Sequence, residues 1–188
     1  MAQIDKERWN TKYQDNKTKK RLSKAIKLIT EYASLAKGTQ ALDVACGIGR
    51  HSKYLAEQGF KVDALDISDV AIQSLKNEAN INAIEVDFDT YELEKNKYDL
   101  IVCAYFLERK LFPLMVEALN SNGIILYETF LHDKKNDKKP SNPSFLLDKD
   151  ELKTYFSKTC EIMHYAEWSD IDSQGNKTMK ASMVAKKS

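Results

Sequence analysis

The chain is poor in the residues that punctuate or staple a fold: its 188 residues include six glycines, three prolines, three cysteines and two tryptophans. Cys46, Cys103 and Cys160 are odd in number and widely spaced. They make no disulfide framework and match neither a Cys-x-x-Cys pair nor a Cys/His zinc spacing. Reduced, buried thiols and no metal site are the expectation. Long apolar runs are missing too; none approaches the ~20 residues of a membrane helix. The opening segment MAQIDKERWN mixes charge with apolar residues where a signal peptide has an apolar stretch, which predicts a cytoplasmic protein. Charge of either sign is not in excess: 29 basic residues face 28 acidic ones, a net +1, so nothing calls for a polyanionic partner. Two basic runs, at 17–21 and 134–139, are broken by Thr, Asn and Asp and lack interleaved aromatics, so they read as solvated loops rather than a nucleic-acid surface. Only Arg8, Arg21, Arg50 and Arg109 are arginine.

What is present is an ordinary globular composition, 43% hydrophobic and 30% charged, at the length of one domain. Residues 20–36 place Leu22, Ala25, Ile26, Ile29, Tyr32, Ala33 and Ala36 on one stripe, predicting an amphipathic helix that Gly38 stops. Residues 1–37 thus read as a helical cap on a core spanning 38–188. In that core, strands are predicted at 41–45, 61–65, 83–86, 99–104 and 124–127, with helices at 50–58, 69–79 and 108–120 between them. Such alternation predicts right-handed βαβ units and a doubly wound, mostly parallel α/β sheet. The tail breaks the rhythm. A polar loop at 131–147 leads to a capping-box pattern at Asp148 and Glu151 and a short helix, then to two strands, 160–168 and 177–186, predicting a closing antiparallel hairpin.

In open α/β sheets a ligand sits beyond the carboxyl ends of the strands, where strand order reverses. The unusual residues fall at those ends: Gly47 and Gly49 after strand one, Asp66 after strand two, Asp87 and Phe88 after strand three, Cys103 to Tyr105 after strand four. Glycine admits close approach of a ligand to the backbone. Asp66, 19 positions after Gly47, suits ribose hydroxyls. Asp87 suits an exocyclic adenine amine, and Ile67 and Phe88 suit the faces of the ring. A nucleoside-bearing ligand follows from the joint occurrence. The dinucleotide fingerprint is incomplete, with Ser52 where its third glycine belongs, and no Walker motif is present. Asp43, inside the glycine strand, is placed to orient the turn or, through water, an amino group.

The segment ALDVACGIGRHSKYLA resembles motif I of the class I S-adenosylmethionine-dependent methyltransferases, and Asp66, Asp87-Phe88, NKYDLIVCAYFLE and SNGIILYETF extend the likeness over about 38–186. The resemblance implies a seven-stranded Rossmann-like sheet and S-adenosyl-L-methionine as cofactor, held by Asp43, Ala45, Cys46, Gly47, Gly49, Arg50, Asp66, Ile67, Asp87, Phe88 and Cys103. Ala45 departs from it, standing where the family has its first glycine. RWNTKY, LFPLMVEALNSNGIILYETF and NPSFLLDKDEL are further similar to the small tellurite-resistance-type methyltransferases. That likeness implies that Trp9 and Tyr13, four apart on one helical face, cover the cofactor as a lid; packing of the helix on the core is the other reading.

Methyl transfer is an in-line displacement in which alignment supplies much of the rate. A general base is needed only where the acceptor must lose a proton. The candidates near the acceptor are Tyr105, Arg109, Glu128 and His132, with solvated arginine and surface histidine as the plainer readings of Arg109 and His132. Arg50 and His51 sit in the first helical turn, suited to the carboxylate of the cofactor's methionine end. His164 reads as structural. A small-molecule acceptor is expected. The readings that remain beside methyl transfer are a non-catalytic nucleoside-binding module and a nicotinamide-dependent oxidoreductase.

Overall fold

The computed structural model describes residues 2–15, 24–137, 142–171 and 174–188. The basic run at 17–21, the start of the expected helix at 20–36 and the end of the run at 134–139 lie outside the described residues. Helix α1 spans Ala2–Gln14 and α2 Lys27–Tyr32; a 3-10 turn, Ala33–Leu35, follows. The core then runs β1 (Gln40–Val44), α3 (Arg50–Glu57), β2 (Lys61–Asp66), α4 (Asp69–Gln73), β3 (Ile81–Glu85), β4 (Tyr98–Ala104), α5 (Leu111–Ala118), β5 (Leu119–Phe130), α6 (Glu151–Phe156), β6 (Cys160–Ile171) and β7 (Lys177–Lys187). Among the described residues the sheet has seven strands in the order β3-β2-β1-β4-β5-β7-β6. β3, β2, β1, β4 and β5 pair in parallel, whereas β7 runs antiparallel to β5 and β6. The doubly wound sheet and its closing hairpin are as expected.

Strand periodicity divides the core into two layers, because successive side chains point to opposite faces. Along β4, Ile101 and Cys103 face one layer with Phe112 and Met115 of α5 and Phe156 of α6. Leu100 and Val102 face the other with Ile29 of α2 and Leu55 of α3. Both faces of the strand are covered, which is why its sequence is almost continuously apolar.

Local readings differ from the structure where a residue serves tertiary contact. Gly38 is not a helix stop: a Cβ there would lie 2.1 Å from the Asp99 carboxylate, which accepts from the Gln40 amide at 3.0 Å. Asn122 and Gly123, which fall between the predicted helix at 108–120 and the predicted strand at 124–127, lie inside β5, which starts at Leu119 directly after α5. The pairing of β4 with β5 shifts register between Tyr98 and Leu100, and Asn122 takes a left-handed φ of 63°. The predicted helix at 69–79 ends at Gln73, and the next turn buries Leu75 against Cys46 and Ala64. Half of the predicted capping box forms: the Glu151 carboxylate accepts from the Asp148 amide at 2.8 Å.

Candidate active site

Strand order reverses between β2 and β4 on either side of β1, so the carboxyl end of β1 is the switch point. There the chain turns sharply, with Ala45 (φ 55°), Gly47 (55°) and Gly49 (77°) all left-handed. Ala45 holds that conformation despite its Cβ, at a cost of about 1–2 kcal/mol. The turn is tied down from below and beside. The Cys46 amide donates to the Leu65 carbonyl at 2.9 Å. Asp66, 5% exposed, accepts from the Gly47 amide on one oxygen (2.8 Å) and the Ser68 amide on the other (2.9 Å). Burial raises its carboxyl above the ordinary range against these two hydrogen bonds.

Behind the turn, Asp43 accepts from the Ser52 hydroxyl at 2.6 Å, while His51 Nδ1 stands 3.9 Å from its second oxygen. Burial pushes Asp43 up to about 7 and His51 down to about 3, the latter helped by the neighbouring Arg50. Asp43 Oδ1 and His51 Nε2 are buried and have no hydrogen-bond partner among the described residues. Cys46 and Cys103 are free and buried in separate layers of the core, and burial lifts both thiols, Cys103 to about 12, so neither is a ready nucleophile.

Helix α1 lies across this edge. Asn10 donates to Asp69 and accepts from the Ser68 hydroxyl, both at 2.6 Å, and Lys6 pairs with Glu85 at the end of β3. Tyr13 is buried with its hydroxyl over the turn, 2.7 Å from where a Gly47 Cβ would sit, and its ring stacks on Trp9 at 5.4 Å. Glycine is required at 47 by both its φ and this approach. Under α1 a cleft of about 220 Å³ is lined by Gln3, Lys6, Ile67, Glu85, Val86 and Asp87. That is below the ~300 Å³ at which ligand pockets usually begin.

On the other side of the turn, side chains from α3, β5, β6 and β7 meet the residue that follows β4. Tyr105 directly follows β4 with φ 59°, and its hydroxyl donates to Glu128 of β5 at 2.8 Å. Lys180 of β7 donates to the Tyr105 oxygen at 3.2 Å and to Asp170 of β6 at 2.6 Å. The Arg50 guanidinium, from α3, lies 5.1 Å from the Tyr105 ring centre. The Lys180 ammonium stands among three rings, Tyr105, Trp168 and Phe130, at 4.9, 5.1 and 5.9 Å. Burial raises the Glu128 carboxyl above its ordinary range, opposed by the Tyr105 hydrogen bond and by Lys180 and Arg50.

The chain matches the family described as tellurite resistance protein TehB over residues 1–184. It belongs to the TehB family. The structure of TehB from Haemophilus influenzae is similar, with a TM-score of 0.72 at 29% identity over 85% of this chain and 61% of that one. Curated relatives include a tRNA (uracil(54)-C(5))-methyltransferase of Pyrococcus horikoshii, 33% identical over 42% of this chain and 20% of that protein. A ubiquinone biosynthesis O-methyltransferase of Rickettsia typhi is 32% identical over 58% of this chain and 48% of that protein. The chain thus spans from a fifth to about half of the length of these relatives. Solved S-adenosylmethionine-dependent methyltransferases at 16% identity, with TM-scores of 0.66 and 0.67, share the fold.

In this TehB-family protein the structure gathers Asp43, Ala45, Cys46, Gly47, Gly49, Arg50 and Asp66 at one turn, with Tyr13 above it and Ile67 and Asp87 along the cleft. Phe88 packs on Phe106 at 5.6 Å and does not line the cleft. Tyr105 and Glu128 are together; Arg109 and His132 do not join them. Arg109 is a clamp, bonded to Glu151 and to the carbonyls of Ser144 and Leu146 at 2.9 Å. His132 is exposed, and its amide bonds to the Leu147 carbonyl. His164 stacks on Tyr32 at 5.4 Å, as a structural residue does. Lys180, Trp168 and Asp170 were not foreseen; the one available signal was a lysine inside the apolar run of β7. The residues present suit S-adenosylmethionine: a glycine turn roofed by the Tyr13 hydroxyl, two buried polar atoms without a partner among the described residues, and carboxylates at the ends of β2 and β3.

Proposed function

We propose that this protein transfers a methyl group from S-adenosylmethionine to a small-molecule acceptor. When bound, that cofactor supplies a sulfonium-linked methyl group and leaves as a neutral thioether. The observation that carries the reading is the Asp66-anchored turn at the switch point, set between the cleft under α1 and the Tyr105 cluster. In this reading Asp66 accepts from the ribose hydroxyls with the lone pairs that Gly47 and Ser68 leave free. Ile67 and Asp87 border the adenine; Arg50, His51 and the first amides of α3 face the amino-acid end, with Asp43 behind them. Trp9 and Tyr13 form the roof, and Tyr105 and Glu128 border the acceptor.

A small acceptor is supported by the half-buried setting of the Tyr105 cluster and by the near-zero net charge of the chain. The test is equilibrium dialysis of labelled S-adenosylmethionine beside NADH, followed by turnover on thiols, amines, phenols, metalloid oxyanions such as tellurite, and tRNA. Retention of the cofactor and label in a small product is the expected result. Binding of NADH alone points to an oxidoreductase, cofactor binding with no transfer points to a binding module, and labelled tRNA moves the acceptor class to RNA.

A further inference from the structure

We propose that Glu128 and Tyr105 form a proton relay aligned by Lys180, so that the acceptor is a protic sulfur or oxygen nucleophile, one that must shed a proton as it attacks. The inference rests on the methyl-transfer reading above and concerns the acceptor side of the same site.

The direction of the hydrogen bonds carries it. A phenol has one proton and two lone pairs, and an ammonium can only donate. Lys180 therefore occupies one lone pair of the Tyr105 oxygen at 3.2 Å, and the phenolic proton points to Glu128 at 2.8 Å. One lone pair of Tyr105 is left to accept from an incoming X–H. As X forms its bond to the methyl carbon, the X–H proton passes to the Tyr105 oxygen and the phenolic proton passes to Glu128. The electron pair of the broken carbon–sulfur bond stays on sulfur. The balance closes with a neutral Glu128, a neutral Tyr105 and a methylated acceptor.

Three further observations fit. Lys180 is 7% exposed yet polar, and it is fixed from three directions by Asp170, by the Tyr105 oxygen and by the rings of Phe130 and Trp168. Tyr105 is held at φ 59°, a strained position for an aromatic residue of the sort that clusters at functional sites. Glu128 is buried, and the charged or titratable groups facing it are Tyr105 just after β4, Arg50 of α3, Lys180 of β7 and Asp170 of β6. Lys180 touches neither Glu128 nor, in this scheme, the acceptor; it is a positioning residue.

The experiment compares thiol and phenol acceptors with a tertiary amine, which has no proton to lose. Wild type, Tyr105→Phe, Glu128→Gln, Lys180→Met and Lys180→Arg are assayed, with S-adenosylmethionine affinity measured alongside by calorimetry. Tyr105→Phe and Glu128→Gln are expected to lose about 100-fold on protic acceptors, the scale of general-base catalysis, and only the several-fold loss of an altered acceptor wall on the amine. In wild type kcat/KM falls with acid as Glu128 becomes protonated, and Glu128→Gln abolishes that limb. Lys180→Met lowers kcat more than it raises KM, and Lys180→Arg recovers most of the loss. Equal losses on both acceptor kinds, or an acid limb that survives in Glu128→Gln, overturn the relay while leaving methyl transfer standing. Failure of the wild type to bind the cofactor overturns the earlier reading instead. If every acceptor is inert, the infrared carboxyl titration of Glu128 in the cofactor-free protein decides. It must move to higher pH in both Tyr105→Phe and Lys180→Met, and an unmoved titration overturns the relay.

Discussion

Asp66 shows how one side chain carries both the fold and the site. Its position after strand two suits ribose hydroxyls, the role proposed for it, and the structure adds that its two oxygens already hold the Gly47 and Ser68 amides. Its removal therefore acts twice. Asp66→Ala is expected to weaken S-adenosylmethionine binding by about 1–3 kcal/mol through unpaired polar groups, and to lower stability by a similar amount because two buried N–H donors lose their partner. Asp66→Asn, whose amide oxygen still accepts, keeps the Gly47 bond and divides the two effects. Calorimetric affinity together with a urea midpoint reads both; a folded Asp66→Ala protein with wild-type affinity removes the ribose from this carboxylate. Ala45 shows the opposite economy. Its left-handed φ of 55° is one that glycine takes freely, so alanine there adds to the cost of the turn.

At the scale of elements, legibility follows the range of the interactions. The strands and α3 were readable because their hydrophobic pattern is local and both faces are buried. The acids at strand ends were readable because topology alone puts them on one edge. Lys180 was not: it reaches the site only through the antiparallel register that sets it beside Phe130 and Trp168, a pairing between strands distant in sequence. Nor did composition show that Arg109 clamps the loop before α6. Helix α1 is an intermediate case. The Trp9–Tyr13 spacing predicts one face, and the structure shows where that face lies, with Asn10 bonded to Ser68 and Asp69 and Tyr13 over Gly47. If α1 must lift for the cofactor to pass, loosening it speeds exchange. Asn10→Ala removes two hydrogen bonds worth about 1–2 kcal/mol together. The cofactor off-rate, followed by stopped-flow fluorescence, is then expected to rise roughly fivefold to thirtyfold. An unchanged off-rate in a folded variant leaves α1 as fixed wall rather than lid.

For the whole molecule, the buried Asp43–His51 pair makes a prediction that neither residue makes alone, because stability against pH counts protons in the folded and unfolded chains. Burial raises Asp43 from 3.8 to about 7, so this group stabilises fully below the unfolded value and its contribution is lost as pH rises toward 7. Burial lowers His51 from 6.5 to about 3, so its contribution is complete above 6.5 and is lost as pH falls toward 3. Between about 4 and 6.5 the unfolded pair holds one proton, on histidine, and the folded pair also holds one, on Asp43. The two slopes cancel, and the pair contributes no pH dependence to the wild type in that window. Breaking it exposes either slope, each about 1.4 kcal/mol per pH unit for one proton. Asp43→Asn, which can still accept from Ser52, leaves His51 alone and is expected to gain stability relative to wild type as pH rises from 4 to 6.5. His51→Gln leaves Asp43 alone and is expected to lose stability over the same interval. Subtracting the wild-type curve removes every other titrating group, so the measurement is the difference in urea-unfolding free energy at pH 4, 5 and 6. Opposite slopes in the two variants show a proton carried by Asp43 in the folded protein. Parallel curves show that the pair is an ordinary ion pair, charged in both states.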